Sequence, residues 1–94
     1  MPRVDFGRKT YLDLMVSKDP MIGRLIDEGY EFVTNAFEPG SKPPAMRVND
    51  VQGFALELAQ QGYVTQICAA YNEVGDPIPG MRSVWRKRRG ALKE

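Results

Sequence analysis

The stretch LIDEGYEFVTNAFEPGSKPPAMR, residues 25–47, returns in altered form as LAQQGYVTQICAAYNEVGDPIPGMR, residues 58–82. Leu25, Gly29 and Tyr30 fall on Leu58, Gly62 and Tyr63 at one offset. Ala36 falls on Ala70 after one inserted residue, and Gly40, Pro44, Met46 and Arg47 fall on Gly75, Pro79, Met81 and Arg82 after a second. In each copy a helical pattern stops at a glycine and a run rich in aromatic and β-branched residues follows. A Gly- and Pro-containing turn then leads into a second extended segment. The chain reads as a helix-strand-strand unit used twice, with pseudo-repeats at about 19–48 and 49–88.

Local signals support each element. Asp19 can accept bonds from the free amides of a first helical turn, and Pro20 at the first helical position has no amide to lose. Ile22, Leu25 and Ile26 form an apolar stripe that ends at Gly29, the residue best suited to a left-handed cap. YEFVTNAF, residues 30–37, alternates as a strand; EPGSKPP is a turn, and residues 45–48 are expected to form a short second strand. Asn49 followed by Gln52 has capping-box spacing, and Val51, Phe54, Ala55 and Leu58 repeat as one face of a helix. Gly53 inside that helix points to close helix packing, the preferred reading, or to simple tolerance of a weak helix former. Gly62 stops the helix, YVTQICAAY is a strand, NEVGDPIPG is a long turn, and MRSVWRKR, residues 81–88, is the last strand.

The first eighteen residues allow two readings: a helical turn built on Tyr11, Leu14 and Met15, or a strand LDLMV. The strand would produce a ferredoxin-like arrangement with one added strand. In both cases the expectation is one α+β domain over residues 1–94. An antiparallel sheet of four to five strands carries two helices on one face, and a flexible tail occupies residues 89–94.

Composition narrows function more than it assigns one. Ninety-four residues with 43% hydrophobic and 27% charged content suit one soluble domain with a marginal core, which a partner or a second copy would help. No apolar run approaches the roughly 18 residues of a membrane span, and MPRVDFGRK lacks an apolar signal stretch, so the expected compartment is the cytoplasm. Cys68 is the single cysteine and reads as a small buried strand residue. Histidine is absent, which removes the commonest general base and metal ligand. Asp27, Glu28, Glu31, Glu38, Glu73 and Asp76 show no paired-acid or metal-ligand spacing. No enzyme activity, cofactor or metal is expected.

The charge is uneven although the formal net value is +1. Residues 48–80 hold Asp50, Glu57, Glu73 and Asp76 with no Lys or Arg, whereas residues 81–94 hold Arg82, Arg86, Lys87, Arg88, Arg89 and Lys93 against Glu94. Period-two alternation places Arg82, Val84, Arg86 and Arg88 on one face of the last strand, with Met81, Ser83 and Trp85 on the other. If Met81 and Trp85 face the helices, the arginines line an open sheet face with aromatics such as Tyr30, Tyr63 and Tyr71 available for stacking. The expected function is therefore a small non-catalytic binding protein that engages nucleic acid through Arg82, Arg86, Lys87, Arg88, Arg89 and Tyr71. The alternative is a protein-binding or homodimeric regulatory module, in which the charges guard an edge strand or meet an acidic protein surface, including residues 48–80 of a second copy. Val74 and Ile78 in the long turn stand where polar residues are usual and are candidates for such contact or for folding back on the sheet.

Two partial resemblances depart from their patterns. Gly29-Tyr30-Glu31-Phe32-Val33 is similar to the aromatic strand of RNA-recognition domains, but Glu28 stands where that motif has Lys or Arg and Glu31 where it has a small residue. Residues 23–29 resemble the helix signature of LAGLIDADG homing endonucleases but are one residue short, and Gln60-Gln61-Gly62 in the second unit carries no acid. Neither assigns a family.

Overall fold

The structure, a computed structural model, describes residues 4–43, 45 and 49–90, with residues 4–9 as backbone alone. Residues 4–18 are one helix, α1 (Val4–Lys18), so LDLMV is helical and the ferredoxin-like alternative is overturned. The reason is tertiary: Met15 is fully buried against the sheet, and Tyr11 and Leu12 on the same helix pack beside it. Asp19 then caps α2 (Pro20–Asp27), accepting from the Met21 amide at 3.0 Å, with Pro20 in the first turn. α2 ends where Gly29 takes a φ of +99° and leads into β1 (Glu31–Phe37).

The second unit begins with a correction. Asp50, not Asn49, caps α3 (Val51–Gln60): its carboxylate accepts from the Gly53 amide at 3.0 Å, while the Asn49 side chain reaches Glu57 at 3.5 Å. A Cβ on Gly53 would come within 2.9 Å of that Asn49 side chain, so the glycine makes room for a local neighbour and not for another helix. Gly62 repeats the left-handed stop at φ +93°, and β2 (Tyr63–Tyr71) follows. Asn72 accepts from the Val74 and Asp76 amides at 3.0 and 2.9 Å and shapes the reversal into β3 (Pro77–Arg88). β3 thus starts before Met81, with Pro77 at its first position, where a missing amide is tolerated.

The sheet is three-stranded among the described residues, in the order β1-β3-β2, with both pairs antiparallel. This overturns the expected four to five strands with two helices on one face: the described residues form three helices, and they lie on both faces. The expected strand at 45–48 lies outside the described residues apart from Ala45, which is in a turn. Neighbouring residues on β3 decide the layering. Val84 and Trp85 must point to opposite faces, yet they are 0% and 1% exposed, so each face has its own cover. Trp85 packs with Met15, Ile22, Leu25 and Cys68 beneath α1 and α2; Val84 packs with Ala36, Val51 and Leu58 beneath α3.

This arrangement gives the repeat its meaning. β1 and β2 run in the same direction on opposite sides of β3, and α2 and α3 lie on opposite faces. Half a turn about the axis of β3 therefore exchanges α2–β1 with α3–β2. Inside the larger core, the Trp85 indole N–H donates to the Ser83 hydroxyl at 2.9 Å, and that hydroxyl donates to the Ala69 carbonyl at 2.8 Å, next to the register shift between Ala69 and Tyr71. The buried polar atoms of this central strand are thereby paired. No helix among the described residues is long and apolar enough to cross a membrane.

Candidate functional site

β3 is the central strand, so its alternating cations have neighbours on both sides. Arg82 and Arg86 lie on the α3 face and meet carboxylates from β1 and the residue after it. Arg82 Nε is 2.5 Å from Glu38, and Arg86 Nε is 3.1 Å from Glu31. These pairs are partly exposed, with side-chain exposures of 47% and 35% for Arg82 and Glu38 and of 35% and 68% for Arg86 and Glu31. Each contributes at most about 1 kcal/mol. The Arg86 guanidinium also lies 4.6 Å from the centre of the Tyr63 ring, and Arg88 lies 5.2 Å from the same ring. Tyr63 is therefore a platform for this chain's own cations.

Lys87 points to the opposite face and places its ammonium 5.5 Å from the Tyr30 ring. Tyr30 and Tyr63 are equivalent positions of the repeat, and β3 sends Lys87 to the first on one face and Arg86 and Arg88 to the second on the other. Arg89 follows the strand; its amide donates to the Gly62 carbonyl at 2.9 Å, and its guanidinium reaches the Tyr63 carbonyl at 3.5 Å. Among the described residues, no carboxylate lies within ion-pair distance of Lys87, Arg88 or Arg89. The structure thus gathers Lys87, Arg88 and Arg89 at one end of the sheet and engages Arg82 and Arg86 with acids. The arginine face is not an open platform, because α3 covers its middle through Val84.

Tyr71 is not part of this group. It pairs with Pro77 at the other end of β2, packs against the Trp85 cluster, and its carbonyl accepts a bond from the Tyr11 hydroxyl. Burial, and after it the Asp19 carboxylate, raises its phenol pKa above the ordinary value, so it stays protonated. The Cys68 thiol is raised in the same way, by burial first and by Asp19 second, with Arg82 opposing. Such a thiol is inert as a nucleophile at neutral pH. Among the described residues, no group of three Cys, Asp or Glu side chains gathers where one metal ion could be held.

A feature the sequence reading missed lies at the Tyr71 end. An open groove of about 1130 Å³ is lined by Tyr11, Leu14, Val33, Asn35, Tyr71 and Val74, among others. The single Tyr11 proton goes to Tyr71, so Tyr11 accepts from the Asn35 amide at 3.0 Å, and the Asn35 Oδ1 is left buried without a partner. The one sequence signal for it was Asn35, a poor strand former within a β-rich run. The long turn behaves in two ways: Val74 is 72% exposed, whereas Ile78 is half-buried and folds back into the groove wall. Comparison with known protein families, with curated proteins and with solved structures gave no match.

Proposed function

We propose that this chain is a small non-catalytic binding domain that engages nucleic acid through the cationic end of β3. One observation carries the reading: Lys87, Arg88 and Arg89 are consecutive, partly or fully exposed and without carboxylate partners among the described residues, while Arg82 and Arg86 are already paired. Phosphate is the polyanion whose binding three adjacent cations favour through counterion release. Alternation sends Lys87 and Arg88 to opposite faces, so the contact wraps the end of the sheet. Tyr30 and Tyr63 present ring faces on the two sides. A reducing compartment such as the cytoplasm suits the single buried thiol.

The test is fluorescence anisotropy with labelled single-stranded and duplex DNA and RNA across a salt series. The expected result is binding that weakens with salt. In the Lys87→Ala, Arg88→Ala, Arg89→Ala variant, the slope of log affinity against log salt should fall by roughly 2 to 3. Arg82→Ala should change affinity little. Absence of binding by the intact chain at low salt would end this reading in favour of a protein partner.

A further inference from the structure

The two edges of the sheet are unlike. β1 carries Glu31 at one end, has a register shift between Phe32 and Thr34, and is closed at its far end by a bridge from Phe37 to Asp50. These are the devices that keep an edge from accepting another strand. β2 lacks the charge and the closing bridge, and its one register shift lies near its end, between Ala69 and Tyr71: YVTQICAAY is nine residues long without a charge, a proline or a glycine. Its register with β3 is unbroken from Tyr63 to Ala69. β3 is its one strand partner among the described residues, and Gln66 and Ile67 stand exposed in its middle, Ile67 at 40%.

We infer that β2 pairs antiparallel with β2 of a second copy about a twofold axis near Ile67, joining two three-stranded sheets into one of six strands. The charges of this chain choose that partner. Tyr63 marks one end of β2, with Arg88 opposite it on β3 and Arg89 bonded to its carbonyl; Tyr71 marks the other, where Glu73 and Asp76 follow in the turn. Antiparallel pairing sets the Tyr63 end of each copy beside the Tyr71 end of the other. Two strand spacings, about 10 Å, then separate the backbone of Arg88 from that of the second copy's Tyr71. Long side chains span that gap to Glu73 and Asp76. A parallel pairing would bring cations to cations and acids to acids, so the charge pattern selects the antiparallel form. The contact is isologous and closes at two copies, leaving the guarded β1 edges outermost.

The inference does not rest on the nucleic-acid reading. Both use Arg88 and Arg89, so a second copy and a polyanion compete for them, and self-association is measured with no nucleic acid present.

The experiment is sedimentation equilibrium of the full chain over a micromolar concentration range. The intact chain should be a dimer in equilibrium with monomer, and Ile67→Lys, checked for native circular dichroism, should be monomeric. Two charge variants, Arg88→Glu with Arg89→Glu and Glu73→Lys with Asp76→Lys, should each weaken self-association by about tenfold or more. Mixed together, they should recover a dimer, because each then presents the complement of the other. A chain that is monomeric throughout the range overturns the inference. So does a dimer indifferent to Ile67→Lys, or charge variants that do not recover on mixing.

Discussion

α2–β1 and α3–β2 share their local signals and differ in what they cover. Both helices stop at a left-handed glycine, a tyrosine comes directly after each glycine, and both tyrosines take a cation from β3. Yet α2 shares its face with α1, and together they enclose Trp85 with Met15, Ile22, Leu25 and a ring of Tyr11, Tyr30, Phe32 and Tyr71. Among the described residues α3 alone covers the other face, over Ala36, Val51, Leu58 and Val84. The Phe32 ring sits 5.3 Å from Trp85 and 6.0 Å from Tyr11, an aromatic row with no counterpart beneath α3 among the described residues. A repeat in sequence therefore sets where elements begin and end, while the largest fully buried side chains, Trp85, Met15 and Ile22, fall on the side that has an extra helix.

That inequality can be broken by substitution. Trp85→Ala should cost about 3 to 5 kcal/mol in urea unfolding, clearly more than Val84→Ala on the opposite face, at about 1.5 to 3 kcal/mol. Equal costs would mean that the two cores carry equal weight. Ser83→Ala should cost about 1 to 3 kcal/mol, because it leaves the buried Trp85 N–H without an acceptor. A neutral result there would show that the indole finds another partner.

The equivalence of the two units is sharpened by glycine. Gly29→Ala and Gly62→Ala should each cost about 1 to 2 kcal/mol, since each imposes a side chain on a positive φ. Neither site has a close steric obstacle: the nearest atom to a Cβ at Gly29 is on the Lys87 side chain at 3.6 Å, and there is none within 4 Å at Gly62. A large difference between the two variants would mean that the repeat is not a conformational one.

The smallest effect is alkaline. Cys68 and Tyr71 belong to the α1–α2 face, and both have folded-state pKa values raised above the ordinary 9.0 and 10.0. The folded chain therefore holds these protons where the unfolded chain loses them. Stability should be level through neutral pH and fall as pH rises past about 9. Cys68→Ala should remove the lower part of that fall, as urea midpoints at pH 7.5 and pH 10 would show. An unchanged decline in the variant would assign the alkaline loss to other groups.

The elements were legible where the deciding interaction is local. Asp19-Pro20 caps a helix through a contact two residues away, Gly29 and Gly62 stop helices through their own backbone, and β1 and β2 follow from β-rich runs. Local reading failed where neighbours compete for one role, as with Asn49 and Asp50. It failed again where an element depends on distant cover, as with α1, whose weak pattern is helical because Met15 reaches the Trp85 core. At the candidate site, alternation correctly placed Arg82, Arg86 and Arg88 on one face. The acids that occupy two of them come from 44 and 55 residues away and could not be foreseen by spacing.

What the sequence by itself determined is the repeated helix-then-strand order, the Asp19 cap, the glycine stops, the runs of β1 and β2, and the concentration of cations after residue 81, because each depends on contacts within a few residues or on composition. Tertiary structure alone decided that β3 lies in the middle. A residue that points one way and its neighbour that points the other, Trp85 and Val84, can both be buried only when helices cover both faces. The same placement left Lys87, Arg88 and Arg89 together at one end of the sheet and β2 at its edge, with β3 as its one strand partner among the described residues.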